Sequence, residues 1–102
     1  MTDAVFSALA DPTRRQVIES LASRQSATAT SLAAELPITR QAVAKHLGAL
    51  RAAELVSVER LGREVHYRLD PRPLGDAARW IERVGAEWDT RLDDLKRLVE
   101  SP

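Results

Sequence analysis

The last third of the sequence repeats apolar or small residues at alternating intervals of four and three, and this repeat limits the possible folds more than any other feature. Its members are Leu74, Ala78, Ile81, Gly85, Trp88, Leu92, Leu95 and Val99. Such a heptad repeat predicts one long helix with an apolar seam along one side. Pro73 delays its start, so the predicted helix runs from about residue 74 to about residue 100, roughly 39 Å at about 1.5 Å per residue.

The seam is too wide for a small chain to cover alone. Ala77, Trp80, Val84 and Leu98 broaden it further. At 102 residues we predict a single domain, residues 1–102, with a high ratio of surface to volume. Packing of the helix against its own domain is one alternative, but the continuation of the seam to Val99 favours a homodimer. The predicted dimer interface consists of Phe6, Leu9, Ala78, Ile81, Trp88, Leu92, Leu95 and Val99.

The stretch from residue 37 to residue 51 predicts a short turn followed by an amphipathic helix. Thr39 is a suitable N-cap because its hydroxyl can accept a hydrogen bond from an unpaired N–H of the first turn, so the helix is predicted to begin at Arg40. Val43, Leu47 and Leu50 recur at helical spacing and form the stripe that faces the core. The opposite face carries Gln41, Lys45, Gly48 and Ala52, flanked by Arg40 and Arg51.

This outer face has the chemistry of a surface that reads DNA. Glutamine can bond to adenine edges, and lysine or arginine can reach guanine or phosphate. The small residues Ala42, Gly48 and Ala49 let the helix approach a groove floor closely. A solvated helix face is the alternative for one helix taken alone, and the neighbouring elements weigh against it.

A shorter helix is predicted immediately before it. Thr28 is the cap, Leu32 and Leu36 are core positions, and Pro37 ends the element. Two helices joined by a short turn, the second with a polar outer face, form a helix-turn-helix. We place this motif at about residues 29–52.

From Leu55 the apolar period changes to two, which predicts a β-hairpin at about residues 55–69. Gly62 supplies the positive φ that a tight turn needs. Arg60 and Arg63 are at the tip of this hairpin, which resembles the wing of a winged helix and could lie along a DNA backbone or in the minor groove. A hairpin with a merely soluble tip is the alternative.

A short first helix and a second helix beginning at Asp11-Pro12 precede the motif. Asp11 is the predicted cap, and Pro12 occupies the first helical position, where its missing N–H costs nothing. Arg14 and Arg15 lie in the first turn, where the helix dipole does not favour cations. Their placement serves either a partner outside the helix, such as a phosphate, or ordinary exposure to solvent.

The charges are balanced overall but unevenly distributed. The chain has 15 basic and 15 acidic residues. Residues 36–72 hold seven basic against four acidic residues, whereas residues 73–102 hold five against seven, so the middle is cationic. There is no cysteine, which excludes disulfides and thiolate metal sites. No apolar run is long enough to span a membrane and no signal peptide is evident, so a cytoplasmic location is expected.

With these elements in place, the chain resembles ArsR-type winged-helix transcriptional regulators over nearly its whole length. The most specific matches are residues 9–15 (LADPTRR), residues 39–47 (TRQAVAKHL), and Leu55-Val56 leading into Gly62-Arg63. The resemblance implies a homodimer that binds a two-fold symmetric operator and usually represses transcription.

Two departures from that family stand out. Its metal sensors use cysteines, or histidine and carboxylate ligands on the last helix, and this chain has neither a cysteine nor a histidine there. Position 54, commonly glycine, is Glu54, so the preceding helix must end without the usual left-handed glycine or at some cost in strain.

No enzyme chemistry is indicated. The sequence lacks a glycine-rich phosphate loop, a nucleophile elbow and an HExxH motif. His46 and His66 are the only histidines, and they lie on the recognition helix and the wing, where a hydrogen-bonded or phosphate-reaching role is expected for the first and a surface role for the second. We therefore predict no catalytic residue, no metal site and no cofactor.

The predicted fold is mainly α with a small β-hairpin, a winged helix-turn-helix with a long C-terminal dimerisation helix. The chain is predicted to be a dimeric, sequence-specific DNA-binding regulator that represses transcription from its operator. The sequence does not identify an effector. The alternative is a winged-helix protein-interaction module that recruits a partner through the long helix. The predicted contacts to double-stranded operator DNA are Thr39, Arg40, Gln41, Ala42, Lys45, His46, Arg51, Arg60 and Arg63.

Overall fold

The computed structural model describes residues 2–100, and the ends of the predicted domain, residues 1 and 102, lie outside this range. Within it, five helices and one antiparallel hairpin confirm the predicted class. The elements are α1 (Thr2–Leu9), α2 (Pro12–Ala22), α3 (Ala29–Glu35), α4 (Arg40–Ala52), β1 (Val56–Leu61), β2 (Glu64–Leu69) and α5 (Arg72–Glu100).

Three of the helices begin at the predicted caps. The Asp11 carboxylate accepts the N–H groups of Thr13 and Arg14 at 2.9 and 3.2 Å. Thr28 forms a capping box with Ser31, in which each side chain accepts the other residue's N–H. The Thr39 hydroxyl accepts the N–H of the third helical residue at 3.1 Å, so α4 begins at Arg40 as predicted.

One core joins the helices to the base of the hairpin. The largest side chains with no exposed surface are leucines contributed by α2, α3, α4 and the start of the hairpin. They are Leu21, Leu32, Leu47, Leu50 and Leu55. The helical stripe predicted for α4 therefore faces the interior, which turns the opposite, polar side of α4 outward.

The hairpin has a two-residue turn and an unpredicted third partner. Leu61 pairs with Glu64, and Gly62 between them has φ 64°, as the turn requires. Ala27, in the segment before α3, forms a β-bridge to Tyr67 through hydrogen bonds of 3.0 and 2.8 Å. This bridge ties the wing to the body beside α3.

The C-terminus of α4 closes with a non-glycine residue in the left-handed region. Leu55 N–H donates to Leu50 O at 2.9 Å and Glu54 N–H donates to Arg51 O at 3.0 Å, the two bonds of a Schellman motif. Glu54 occupies the position that needs positive φ, and its φ is 62°. Of the two alternatives predicted for position 54, the chain therefore adopts the one in which the helix end is strained.

Replacing Glu54 with glycine should stabilise the protein. A side chain at left-handed φ costs roughly 1–2 kcal/mol, of which the flexibility of glycine in the unfolded chain offsets a part, leaving a gain of about 1 kcal/mol. For a domain of this size, that gain raises the melting temperature by about 4–8 °C in a thermal unfolding experiment. Glu54→Ala removes the charge but keeps the strain and should not show the gain; an equal gain in both variants would assign the effect to charge.

The last helix begins two residues earlier than predicted. Asp70 Oδ1 accepts the N–H of Arg72 at 3.1 Å, and its carboxylate also binds the Arg72 guanidinium, which lowers the pKa of Asp70 to about 2. Pro73 lies inside the first turn, where an N–H would have no helical partner in any case. Proline at this point therefore did not delay the helix.

Most of α5 projects beyond the rest of the chain. The helix has 29 residues, and the molecule measures 73 × 24 × 21 Å, with a radius of gyration of 18.9 Å against about 13 Å for a compact domain of this length. Ala77 is buried, and Trp80 contacts Phe6 of α1 edge-on with ring centroids 5.4 Å apart. Leu9 also packs on the core of its own chain, so both predicted α1 interface residues make contacts within the chain.

The seam beyond Trp80 remains exposed in the single chain. Its apolar residues have exposed fractions of 55–79%, namely Ile81, Trp88, Leu92, Leu95, Leu98 and Val99. A contiguous apolar surface of this kind marks an interaction site in soluble proteins.

Candidate nucleic-acid interface

The outer face of α4 is polar and free of protruding apolar groups. Gln41 and Lys45 are exposed, one turn apart on the side opposite Val43 and Leu47. A Cβ placed on Gly48 would have no atom within 4 Å, so this part of the face lies open to a partner. The face can therefore approach another surface closely at Gly48.

The predicted site residue Ala42 is less available than its neighbour Ala44. Ala42 is half-buried, whereas Ala44 is exposed on the same face as Gln41 and Lys45. The sequence pattern contained this information, because Ala44 lies three residues after Gln41 and one turn before Gly48. The prediction selected Ala42, Gly48 and Ala49 for their small size and passed over Ala44, although the helical period places Ala44 on the outer face.

A cleft of about 540 Å³ brings the start of α4 together with the wing. Arg40, Ala44 and Arg63 line it, along with hydroxyl-bearing residues of α3 such as Thr30. Arg40 Nε donates to Thr30 Oγ1 at 3.0 Å, which holds the guanidinium beside α3. Helix α4 and the turn of the hairpin thus present the cations Arg40 and Arg63 to one shared concavity, which Glu64 also lines.

The two other predicted arginines occupy different places. Arg60 is exposed on β1 opposite Val65, at the far end of the hairpin from the body. Arg51 lines a separate cleft of about 670 Å³ together with Glu54, Asp70 and Arg72. Arg51 is therefore not brought together with Arg40 and Arg63, because it lies three turns further along α4.

Both histidines contact neighbouring side chains. His46 is half-buried, and its Nδ1 accepts a hydrogen bond from Arg14 Nε at 3.4 Å. On the wing, His66 contacts Glu64 at 3.3 Å and Ser26 at 3.4 Å, in keeping with a surface role. The contact between Arg14 and His46 joins α2 to the recognition helix.

Arg14 lies between an anionic cap and an imidazole. Its Nη2 is 3.9 Å from the Asp11 carboxylate, and its side chain has an exposed fraction of only 20%. The backbone N–H of Arg14, assisted by that of Thr13, lowers the pKa of the Asp11 carboxyl. Of the two arginines noted in the first turn of α2, Arg15 instead donates to the carbonyl oxygen of Leu9 at the end of α1.

The described residues hold no group of three or more histidine, cysteine, aspartate or glutamate side chains close enough to bind a metal ion. No helix in residues 2–100 combines the length and apolar character needed to cross a membrane.

Comparison with known proteins identifies the family. Residues 9–59 match the model of a helix-turn-helix domain family. The transcriptional repressor SdpR of Bacillus subtilis is 34% identical over 77 residues, covering 76% of this chain and 84% of SdpR.

Two solved structures agree with this match. An ArsR-like transcriptional regulator from Rhodococcus sp. RHA1 is 46% identical with a TM-score of 0.87, covering 99% of this chain and 94% of that one. The homodimeric winged helix-turn-helix DNA-binding domain of Mb0332 from Mycobacterium bovis, solved by NMR, is 26% identical with a TM-score of 0.63, covering 85% and 77%. The chain belongs to the ArsR family of winged helix-turn-helix transcriptional regulators.

Proposed function

We propose that this protein is a homodimeric repressor that binds a two-fold symmetric operator in double-stranded DNA. The observation that carries the proposal is the exposed outer face of α4, with Gln41 and Lys45 on it and the cations Arg40 and Arg63 in the adjoining cleft. A helix inserted in a major groove meets base edges on its outer face and phosphates at its flanks. The arrangement supplies suitable groups for both.

Within this proposal the residues divide into two roles. Gln41 and Lys45 read base edges, and Ala44 and Gly48 allow the helix to approach them. Arg40 and Arg63 bind backbone phosphates on the two sides of the cleft, with His46 on the other flank of α4 and Arg60 along the wing. Thr39 and Ala42 contribute through the first turn of α4, and Arg51 contributes least because of its separate position.

The exposed part of the α5 seam supports the dimer. Ile81, Leu92 and Leu95 are each more than half exposed in the single chain. A second copy, related by two-fold symmetry, would cover them with an identical seam and place two recognition helices on adjacent turns of the duplex, roughly 34–36 Å apart. The homodimeric domain of Mb0332 offers a precedent for such an assembly in a similar fold.

Repression is supported by the similarity to SdpR, which is named as a transcriptional repressor. A protein of this size that occupies promoter DNA as a dimer can act simply by excluding the polymerase. We therefore expect deletion of the gene to raise the output of the promoter that the protein binds.

The test is binding to the DNA upstream of the protein's own gene, measured by fluorescence anisotropy against a scrambled duplex of the same composition. We expect the upstream DNA to bind at least about 10³-fold more tightly than the scrambled duplex at physiological salt, the range found for specific regulators. Genome-wide footprinting would find operators that lie elsewhere in the genome. If no genomic duplex is preferred over scrambled DNA, the protein is instead a winged-helix interaction module that works through α5.

A further inference from the structure

Arg14 is a cation in the first turn of α2, where the helix dipole opposes it, so its position needs a compensating partner. The structure supplies two. The guanidinium lies 3.9 Å from the Asp11 carboxylate, and its Nε donates to Nδ1 of His46, 32 residues further along the chain, at 3.4 Å. Arg14 is therefore directed at the recognition helix and is mostly buried.

This contact selects one form of the His46 ring. A neutral imidazole carries its proton on one nitrogen only, and the nitrogen that accepts a hydrogen bond is the one without it. Because Nδ1 accepts from Arg14, the proton lies on Nε2. His46 thus becomes a hydrogen-bond donor through Nε2, with its ring orientation held by α2.

We propose that Arg14 is a positioning residue for DNA binding, which holds His46 as an Nε2–H donor to a backbone phosphate. His46 follows Lys45 directly and lies on the flank of α4, between the outer face and the buried stripe. When the outer face meets the groove floor, a donor on the flank meets the phosphate wall. Arg14 acts through His46 and not by its own contact with DNA. The proposal rests on the proposed function.

Two substitutions separate geometry from charge. Glutamine places an amide N–H donor the same number of bonds from the backbone as Arg Nε, whereas methionine places a methyl group there. Both remove the positive charge, and both are good helix formers. R14Q and R14M should therefore share any loss caused by charge and differ only in whether His46 Nδ1 receives a hydrogen bond.

We expect R14M to bind operator DNA roughly 25-fold more weakly than R14Q, because each of the two copies loses one ordinary hydrogen bond, which is worth about fivefold. The salt dependence of binding should have nearly the same slope in R14Q as in the unchanged protein, because no phosphate contact by Arg14 is lost. In an H46A background, the difference between R14Q and R14M should disappear. Thermal unfolding of each variant excludes loss of fold as the cause.

Nitrogen-15 NMR of the imidazole rings tests the contact without DNA. The chain has only two histidines, so H66A assigns the signals of both. At a pH where the ring is neutral, His46 should show a proton on Nε2 and a bare Nδ1, and R14M should shift it towards a mixture of tautomers while leaving His66 unchanged. This result does not depend on an operator, so a failure of the proposed function is distinguishable from a failure of this inference.

If R14Q and R14M lose operator affinity equally and the salt dependence of binding becomes less steep in both, Arg14 is a phosphate ligand and the proposal is overturned. Equal affinities with an unaltered His46 tautomer would overturn it as well. A difference between R14Q and R14M that persists in H46A would show that Arg14 acts through another residue.

Discussion

Replacing Ile81, Leu92 and Leu95 together with glutamate is expected to turn a dimer into a monomer that has lost specific binding. These side chains are 55–58% exposed in the single chain, so the variant should still fold. In the dimer, charges on both copies would face each other in an apolar seam without partners. In a dimer, binding of one copy to its half-site raises the effective concentration of the other copy at the second half-site. Loss of the dimer should therefore weaken operator binding by about 10²–10⁴-fold.

The matched control makes the same change in net charge, but on the side of α5 that faces away from the seam. Arg83→Gln, Ala86→Glu and Thr90→Glu lie on exposed positions away from the seam and also lower the net charge by three. This control should sediment as a dimer and bind the operator, whereas the seam variant should sediment as a monomer. A monomeric seam variant with full operator affinity would contradict the coupling between dimerisation and DNA binding.

Replacing both Gln41 and Lys45 with alanine is expected to remove most of the preference for the operator. One bidentate contact to a base discriminates by about 1–3 kcal/mol, and a dimer makes each contact twice, so the operator affinity should fall by roughly 10²-fold or more. Binding to scrambled duplex should fall much less. Both side chains are exposed and hold no part of the core, so the variant should unfold at nearly the same temperature.

Arg63→Ala provides the contrasting variant for that experiment. Arg63 lies in the turn of the wing and lines the cleft beside Arg40. Its loss should weaken binding to the operator and to scrambled DNA to a similar extent. It should also lower the slope of log affinity against log salt concentration by about one for each copy of the chain. A folded Gln41→Ala, Lys45→Ala variant with unchanged operator affinity would remove these two residues from the reading surface.

The starts of α2, α3 and α4 and the turn of the wing could be predicted because each depends on neighbouring residues. Asp11, Thr28 and Thr39 cap their helices through N–H groups only two or three residues away. Gly62 takes a positive φ within a two-residue turn. The apolar spacing also identified which side of α4 faces the core, because burial follows the helical period.

The effect of Pro73 was misjudged, and the sequence left two alternatives open for Glu54. Pro73 did not delay α5, since the first turn of a helix does not use that N–H. Glu54 adopts a left-handed conformation because the Schellman hydrogen bonds and the burial of Leu55 hold the chain in place. The conformational propensity of a single residue does not include the energies of these hydrogen bonds and of this burial.

What the sequence by itself determined is the order of the elements and the polar and apolar side of each, because both follow from periods and caps within a few residues of chain. Tertiary structure alone decided which distant side chains meet. It paired Ala27 with Tyr67, brought Arg63 to the same cleft as Arg40, and directed Arg14 at His46. These outcomes depend on the angles at which helices pack on a shared core, and a helical period fixes only the face of a helix and not its direction in space.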